Sequence, residues 1–96
     1  MMLAATRAGT ADALRAELSA SQPALHGWLT RAMPRMYSKA YRWVAEMEEI
    51  SGFVGEDPAA AQFFQAAARF YERIAADFDG ERAECAALDA FCEGQK

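Results

Sequence analysis

Five charged side chains recur at positions 35, 39, 42, 46 and 49: Arg35, Lys39, Arg42, Glu46 and Glu49. That i, i+4, i+7 spacing places them on one face of a helix. The bases come first and the acids last. A helix dipole favours the reverse, by about 0.3–1 kcal/mol per well-placed charge. Arg42 and Glu46 also form an i, i+4 pair in the weaker order. A chain tuned only for helix stability would not choose this arrangement. Basic side chains beside a helix N-terminus, whose free N–H groups already favour negative charge, make a site for a carboxylate or phosphate. Lys39, Arg35 and Arg42 are thus the candidates for binding the anionic part of a substrate or cofactor. The plainer alternative is a solvated charged face, or one that pairs with acids of another subunit. Spacing leaves both open.

Other residues capable of chemistry form no complete set. His26 has no Ser or Cys nucleophile at diagnostic spacing and precedes Gly27 in an apolar stretch, which suits a structural role. Cys85 and Cys92 lie seven apart in an expected helix, roughly 10 Å along its axis. A disulfide needs Cα atoms within about 7 Å. With one distant histidine they also lack zinc spacing, so they read as small packing residues. The glycines are scattered, so no phosphate-cradling loop is present. Glu46, Glu48 and Glu49 read as a wet face. No catalytic residue and no metal ligand is expected.

The elements that must position these residues are helices. Val and Ile total four, and no stretch alternates over strand length. Residues 1–8 read as the tail of a longer helix, stopped by Gly9. Thr10 caps a second helix running to about 19, with Asp12 in its first turn. Ser21 and Pro23 start a third, carrying Leu25, Trp28, Leu29 and Ala32. Pro34 breaks or kinks it. A helix over 35–51 follows, with Met36, Ala40, Trp43, Val44, Met47 and Ile50 as its apolar stripe, widened by Tyr37 and Tyr41. Gly52 and Gly55 bracket a turn, and Asp57-Pro58 opens a helix over 58–78. Its stripe is Phe63, Ala67, Phe70, Ile74 and Phe78, flanked by Phe64 and Tyr71. Gly80 ends it. A last helix over 81–91 uses Cys85, Leu88 and Cys92, and residues 93–96 form a frayed tail. Trp28, Trp43 and the aromatic stripe are expected to pack in the core. The fold class is all-α: a helical bundle forming one domain over 1–92.

Composition narrows the partners. The net charge of −4, with 14 acids against 10 bases, opposes non-specific nucleic-acid binding, which needs a field of Lys and Arg. No apolar run reaches the ~20 residues of a membrane span. The start has no basic n-region, so no signal peptide is expected and the cytoplasm is the default location. Alanine supplies 23 residues against 26 large apolar ones. Alanine favours helix but buries little surface, so the core is thin and a partner is expected: another domain, another copy, or both.

The run Pro34-Arg35-Met36-Tyr37-Ser38-Lys39-Ala40-Tyr41-Arg42-Trp43-Val44-Ala45-Glu46-Met47-Glu48-Glu49-Ile50 resembles the C-terminal helical domain of 6-phosphogluconate and 3-hydroxyisobutyrate dehydrogenase-like proteins. Arg7-Ala8-Gly9-Thr10 to Ser21-Gln22-Pro23-Ala24-Leu25 and the helix opening at Asp57-Pro58-Ala59-Ala60-Ala61 look like the same domain. The likeness spans about residues 1–90. It implies an NAD- or NADP-binding Rossmann domain on the N-terminal side. The active site would lie in the cleft between the domains, the helical domain would form the dimer interface, and the reaction would be hydride transfer to or from a small β-hydroxyacid. The family's catalytic lysine lies on the long helix opening the helical domain, a segment that would precede Met1. This chain is therefore expected to be inactive alone, binding NAD or NADP only through an absent Rossmann domain. Lys39 matches a second family lysine that reaches the cleft, although Ala40 and Tyr41 stand where the family has Asp and Leu.

Three functions compete at this stage. The chain is the substrate-cleft and dimerisation domain of such a dehydrogenase, paired with or cut from a Rossmann domain. Alternatively it is a free-standing homodimeric interaction module without catalysis. A small all-α enzyme of its own, resembling a chorismate mutase, would need Arg31, Arg35, Lys39 and Arg42 to converge on a dicarboxylate.

Overall fold

Helix α1 (Met2–Arg7) ends because Gly9 takes φ +74°, a left-handed conformation that costs a residue with a Cβ about 1–2 kcal/mol. The Gly9 N–H donates to the Thr6 carbonyl (3.1 Å) and the Thr10 N–H to the Ala5 carbonyl (2.8 Å). Those two bonds are the Schellman pairing that satisfies the last carbonyls of a helix, so the expected stop is present. Thr10 departs from expectation. It holds the N-cap position of α2 (Ala11–Ser21) but its side chain caps nothing. Its hydroxyl donates instead to the Ala5 carbonyl at 3.2 Å, and so belongs to the end of α1.

Helix α3 (Pro23–Met36) opens on proline as its first residue and then runs through Pro34. The expected break at Pro34 falls three residues later. A 3-10 turn occupies Tyr37–Lys39, and α4 (Ala40–Phe53) follows. A proline in the last turn removes one N–H from a helix that is about to end. A short 3-10 turn is a common connector at such an end. The expected single helix over 35–51 is therefore two helices and a turn.

Helix α5 (Pro58–Asp79) starts as the sequence implies: Pro58 occupies the first turn and the Asp57 carboxylate accepts from the Ala60 N–H at 3.3 Å. Gly80 is its C-cap. Helix α6 (Ala83–Glu93) begins two residues after the expected start, because Arg82 takes φ +64° and turns the chain before Ala83. The structure, a computed structural model, describes residues 1–93. Of the expected tail over 93–96, Glu93 closes α6 and 94–96 lie outside the described residues. Every regular element among the described residues is helical, and the fold class is the expected all-α helical bundle. No described helix is long and apolar enough to cross a membrane.

The chain gathers into two compact units. The first joins Met1–Met36 to the segment from Arg82 onward, with α6 packed on α3 and α1. Met2, Leu3, Leu18, Met36, Cys85, Leu88 and Phe91 are its buried apolar residues. Arg7 pairs with Glu84 at 2.7 Å, and Arg15 reaches the Phe91 carbonyl at 2.7 Å. The second unit, Tyr37–Glu81, is the antiparallel pair of α4 and α5 with the 3-10 turn against α5. Ala40, Ala68 and Ile74 are fully buried there. Alanines at two of these positions let the helix backbones approach closely. Trp43 meets Tyr71 edge-on at 5.2 Å, a favourable aromatic geometry. The Ser51 hydroxyl donates to the Ala61 carbonyl at 2.9 Å, satisfying a buried polar group where α4 ends and α5 begins.

Four residues expected on the apolar stripes, Leu25, Trp28, Tyr41 and Phe63, are exposed. Trp28 is 57% exposed on α3 and Phe63 is 67% exposed on α5. Four of the five residues of the expected α5 stripe, Ala67, Phe70, Ile74 and Phe78, are buried or half-buried, together with Phe64, Ala68, Tyr71 and Ala75 beside them; only Phe63, the stripe residue nearest the helix start, is exposed. Phe53 is likewise exposed, at 90%.

Candidate functional site

Lys39 and Arg42 lie together at the start of α4, Lys39 as its N-cap and Arg42 in its first turn. No acid lies in that turn and no side chain caps it. Both side chains are exposed, and among the described residues neither pairs with a carboxylate. The positive charges thus sit at the helix end whose amides already favour an anion. Arg35 belongs to the last turn of α3, within the first unit. The continuous helix face that would join it to Lys39 and Arg42 is interrupted by the 3-10 turn.

The acids of that face are partly spoken for. The Glu48 carboxylate accepts from Arg69 at 2.7 Å across the α4–α5 pair. The hydrogen bond that Arg69 donates to Glu48, reinforced by the charge of Glu72, raises the Arg69 pKa still further, so this guanidinium stays charged at any ordinary pH. Both partners are half exposed, and such pairs orient helices more than they stabilise them. The acidic run over 46–49 is therefore in part an interhelical contact rather than a wet face alone. Glu46 and Glu49 remain exposed.

Of the two tyrosines expected to widen the apolar stripe, Tyr37 is buried and Tyr41 is not. Tyr37 is buried, its ring 6.5 Å from that of Phe78 at a 43° tilt. Tyr41 is 65% exposed, and the Arg42 guanidinium lies 5.9 Å from its ring centroid. With Ser38, Ala75, Phe78 and Asp79 the two tyrosines line a cleft of about 310 Å³. Sequence reasoning did not find this cleft. Its walls come from positions 37–41 and 75–79, and no local spacing signals that the two meet.

His26 and the cysteines play no part in that arrangement. His26 sits within α3 with its Nε2 buried and without a hydrogen-bond partner among the described residues. Cys85 is a buried free thiol. Cys92 is a half-buried free thiol whose S–H faces the Leu29 carbonyl at 4.0 Å. Burial, and then the charge of Asp89, push the Cys92 thiol up from its ordinary pKa. A raised pKa leaves less thiolate at neutral pH, and the thiolate is the reactive form. The rate of Cys92 alkylation by iodoacetamide is therefore expected to rise with pH through a midpoint above the ordinary thiol value of about 8.5. A midpoint at or below that value would contradict the buried placement. Among the described residues no group of His, Cys, Asp and Glu is placed to hold a metal ion.

An all-α module with an unpaired basic pair at one helix start is what fold and site define. The family model described as "Domain of unknown function (DUF1932)" matches residues 5–74, and the chain belongs to that family. The match includes Arg35, Lys39 and Arg42. No curated protein and no solved structure matches the chain.

Proposed function

We propose that this chain is the substrate-cleft and dimerisation domain of an NAD(P)-dependent β-hydroxyacid dehydrogenase-like oxidoreductase. The observation that carries the reading is a coincidence along the chain. The run over 34–50 that resembles 6-phosphogluconate and 3-hydroxyisobutyrate dehydrogenases lies wholly inside the family match over 5–74. That family domain occurs at the C-terminus of 3-hydroxyisobutyrate dehydrogenase-like proteins. On this reading the nicotinamide cofactor is held by a Rossmann domain outside this chain, and the chain alone does not turn over. Lys39 and Arg42 supply positive charge beside the N-terminal amides of α4, where a hydroxyacid carboxylate or a cofactor phosphate gains most from it. Arg35 is a third candidate, from the end of α3. The setting is cytoplasmic.

The test begins with the native protein in its source cells. A mass of roughly 30 kDa, that of two ordinary domains, is expected, together with reduction of NAD or NADP by a small β-hydroxyacid. In that protein Lys39→Ala is expected to raise KM about tenfold with little change in kcat, as for loss of a ground-state anion contact. A native protein that oxidises no β-hydroxyacid, or kinetics indifferent to Lys39→Ala, defeats the reading.

Phe53 and Phe63, both exposed within the α4–α5 unit, favour a second reading, a free-standing homodimeric module without catalysis. Exposed large apolar groups of this kind mark surfaces that seek a partner. A native mass near the 10.5 kDa of the chain, with a dimer at sedimentation equilibrium and no dehydrogenase activity, would select it.

A further inference from the structure

The cleft between the start of α4 and the end of α5 has a chemistry opposite to that of the basic pair. We infer that it binds a small organic cation, a substituted ammonium group. Three features converge on it. The first is its lining: the rings of Tyr37, Tyr41 and Phe78 surround about 310 Å³, the lower end of the range for small-ligand sites, about 300–1,000 Å³. Aromatic faces carry negative charge density and attract ammonium groups within about 6 Å of the ring. Tyr41 already makes such a contact with Arg42, at 5.9 Å, so its ring does present a face to cations. Half-buried Ala75, with only a methyl group, keeps the space between the rings open.

The second feature is Asp79, an exposed residue of the same lining whose carboxylate pairs with no cation among the described residues. The third is the backbone. Asp79 is the last residue of the 22-residue α5, whose last turn contains no basic side chain. The end of a helix carries about half a negative charge on its free carbonyls, and cations there are stabilising. In that last turn α5 meets the charge with no lysine or arginine of its own and adds Asp77 and Asp79.

Lys39 and Arg42 oppose a cation, but neither lines the cleft. The Arg42 guanidinium lies 5.9 Å from the Tyr41 ring and competes for that ring, whereas Asp79 is itself part of the lining. Of the residues that line the cleft Asp79 alone is charged, and its negative charge favours a cation over an anion. The inference is independent of the dehydrogenase reading and survives its failure.

The test is an NMR titration of the 96-residue chain with three probes of one shape and different charge. Choline carries the cation, 3,3-dimethylbutan-1-ol is its neutral counterpart, and 3,3-dimethylbutyrate is an anionic one. Choline is expected to shift the ring protons of Tyr37, Tyr41 and Phe78 saturably, and to bind about tenfold more tightly than the neutral probe. Asp79→Asn and Tyr41→Leu, both surface substitutions, are each expected to weaken choline at least about threefold while leaving the amide spectrum otherwise intact. Equal binding of choline and the alcohol would make the cleft merely apolar and overturn the inference. So would preference for the butyrate, absence of saturable shifts, or affinity indifferent to Asp79→Asn.

Discussion

Ile74→Ala is expected to lower the stability of the α4–α5 unit by about 2–5 kcal/mol. Ile74 is fully buried, one of the largest side chains so placed. Its removal leaves a cavity, and the other fully buried residues of this unit, Ala40 and Ala68, are too small to fill one. The effect is large for a chain whose core is thin. Small domains hold only about 5–15 kcal/mol in all. Trp43 makes the measurement straightforward: it is half-buried against Tyr71, whereas Trp28 is largely exposed. Urea unfolding followed by Trp43 emission, in a Trp28→Phe background, is expected to show the midpoint fall with little change in slope. Ile74→Val, which removes one methyl group, is expected to cost about 0.5–1.5 kcal/mol. Equal midpoints for Ile74→Ala and the parent would mean that α5 does not bury this face.

The features legible in the sequence are those whose cause is local. Gly9 ends α1 through its own φ, Asp57-Pro58 opens α5 through bonds within four residues, and Gly80 closes it. The all-α class follows in the same way, from alanine-rich helical periodicity and scarce β-branched residues. The errors have local readings that tertiary packing overrides. Pro34 looked like a boundary, but α3 runs through it to Met36, and the break falls at the 3-10 turn over Tyr37–Lys39. Arg82 gave no sign that it would take a left-handed turn. Phe63 and Trp28 fit helical stripes, yet a stripe shows only which side chains share a face, not how far along the helix a neighbour extends to cover it.

The candidate site was legible in the same measure. The excess of bases at the start of α4 is a sequence fact, since it violates the helix dipole, and Lys39 and Arg42 do lie at that start. The link to Arg35 assumed a helix through the 3-10 turn and could not be checked by periodicity. The cleft beside it depended on positions 37–41 meeting positions 75–79. Separations of that size leave no periodic trace, and so Asp79 was not singled out at all.

Arg15 was missed for the same reason, and it supports the second large prediction. Its Nε donates to the Phe91 carbonyl at 2.7 Å, a partner 76 positions away. The Cζ sits 5.1 Å from the Phe91 ring centroid, and a terminal nitrogen donates to the Asp12 carboxylate at 2.7 Å. The side chain is only 16% exposed, against 70% for Asp12. These contacts are unequal. The pair with Asp12 is screened by water and contributes little. The bond to Phe91 satisfies a carbonyl in the last turn of α6, where a cation is also favoured by the helix dipole and α6 has no base of its own. Arg15→Ala is therefore expected to destabilise the first unit by about 1–3 kcal/mol, since it strips a charge-assisted bond and the cover over a buried ring. Asp12→Ala is expected to cost under about 1 kcal/mol. Arg15→Lys restores the charge but not the fork that bonds carbonyl and carboxylate together, so it is expected to recover less than half of the loss. Thermal unfolding of the three variants separates the contacts. If Asp12→Ala costs as much as Arg15→Ala, the surface pair rather than the tie to Phe91 holds α2 to α6.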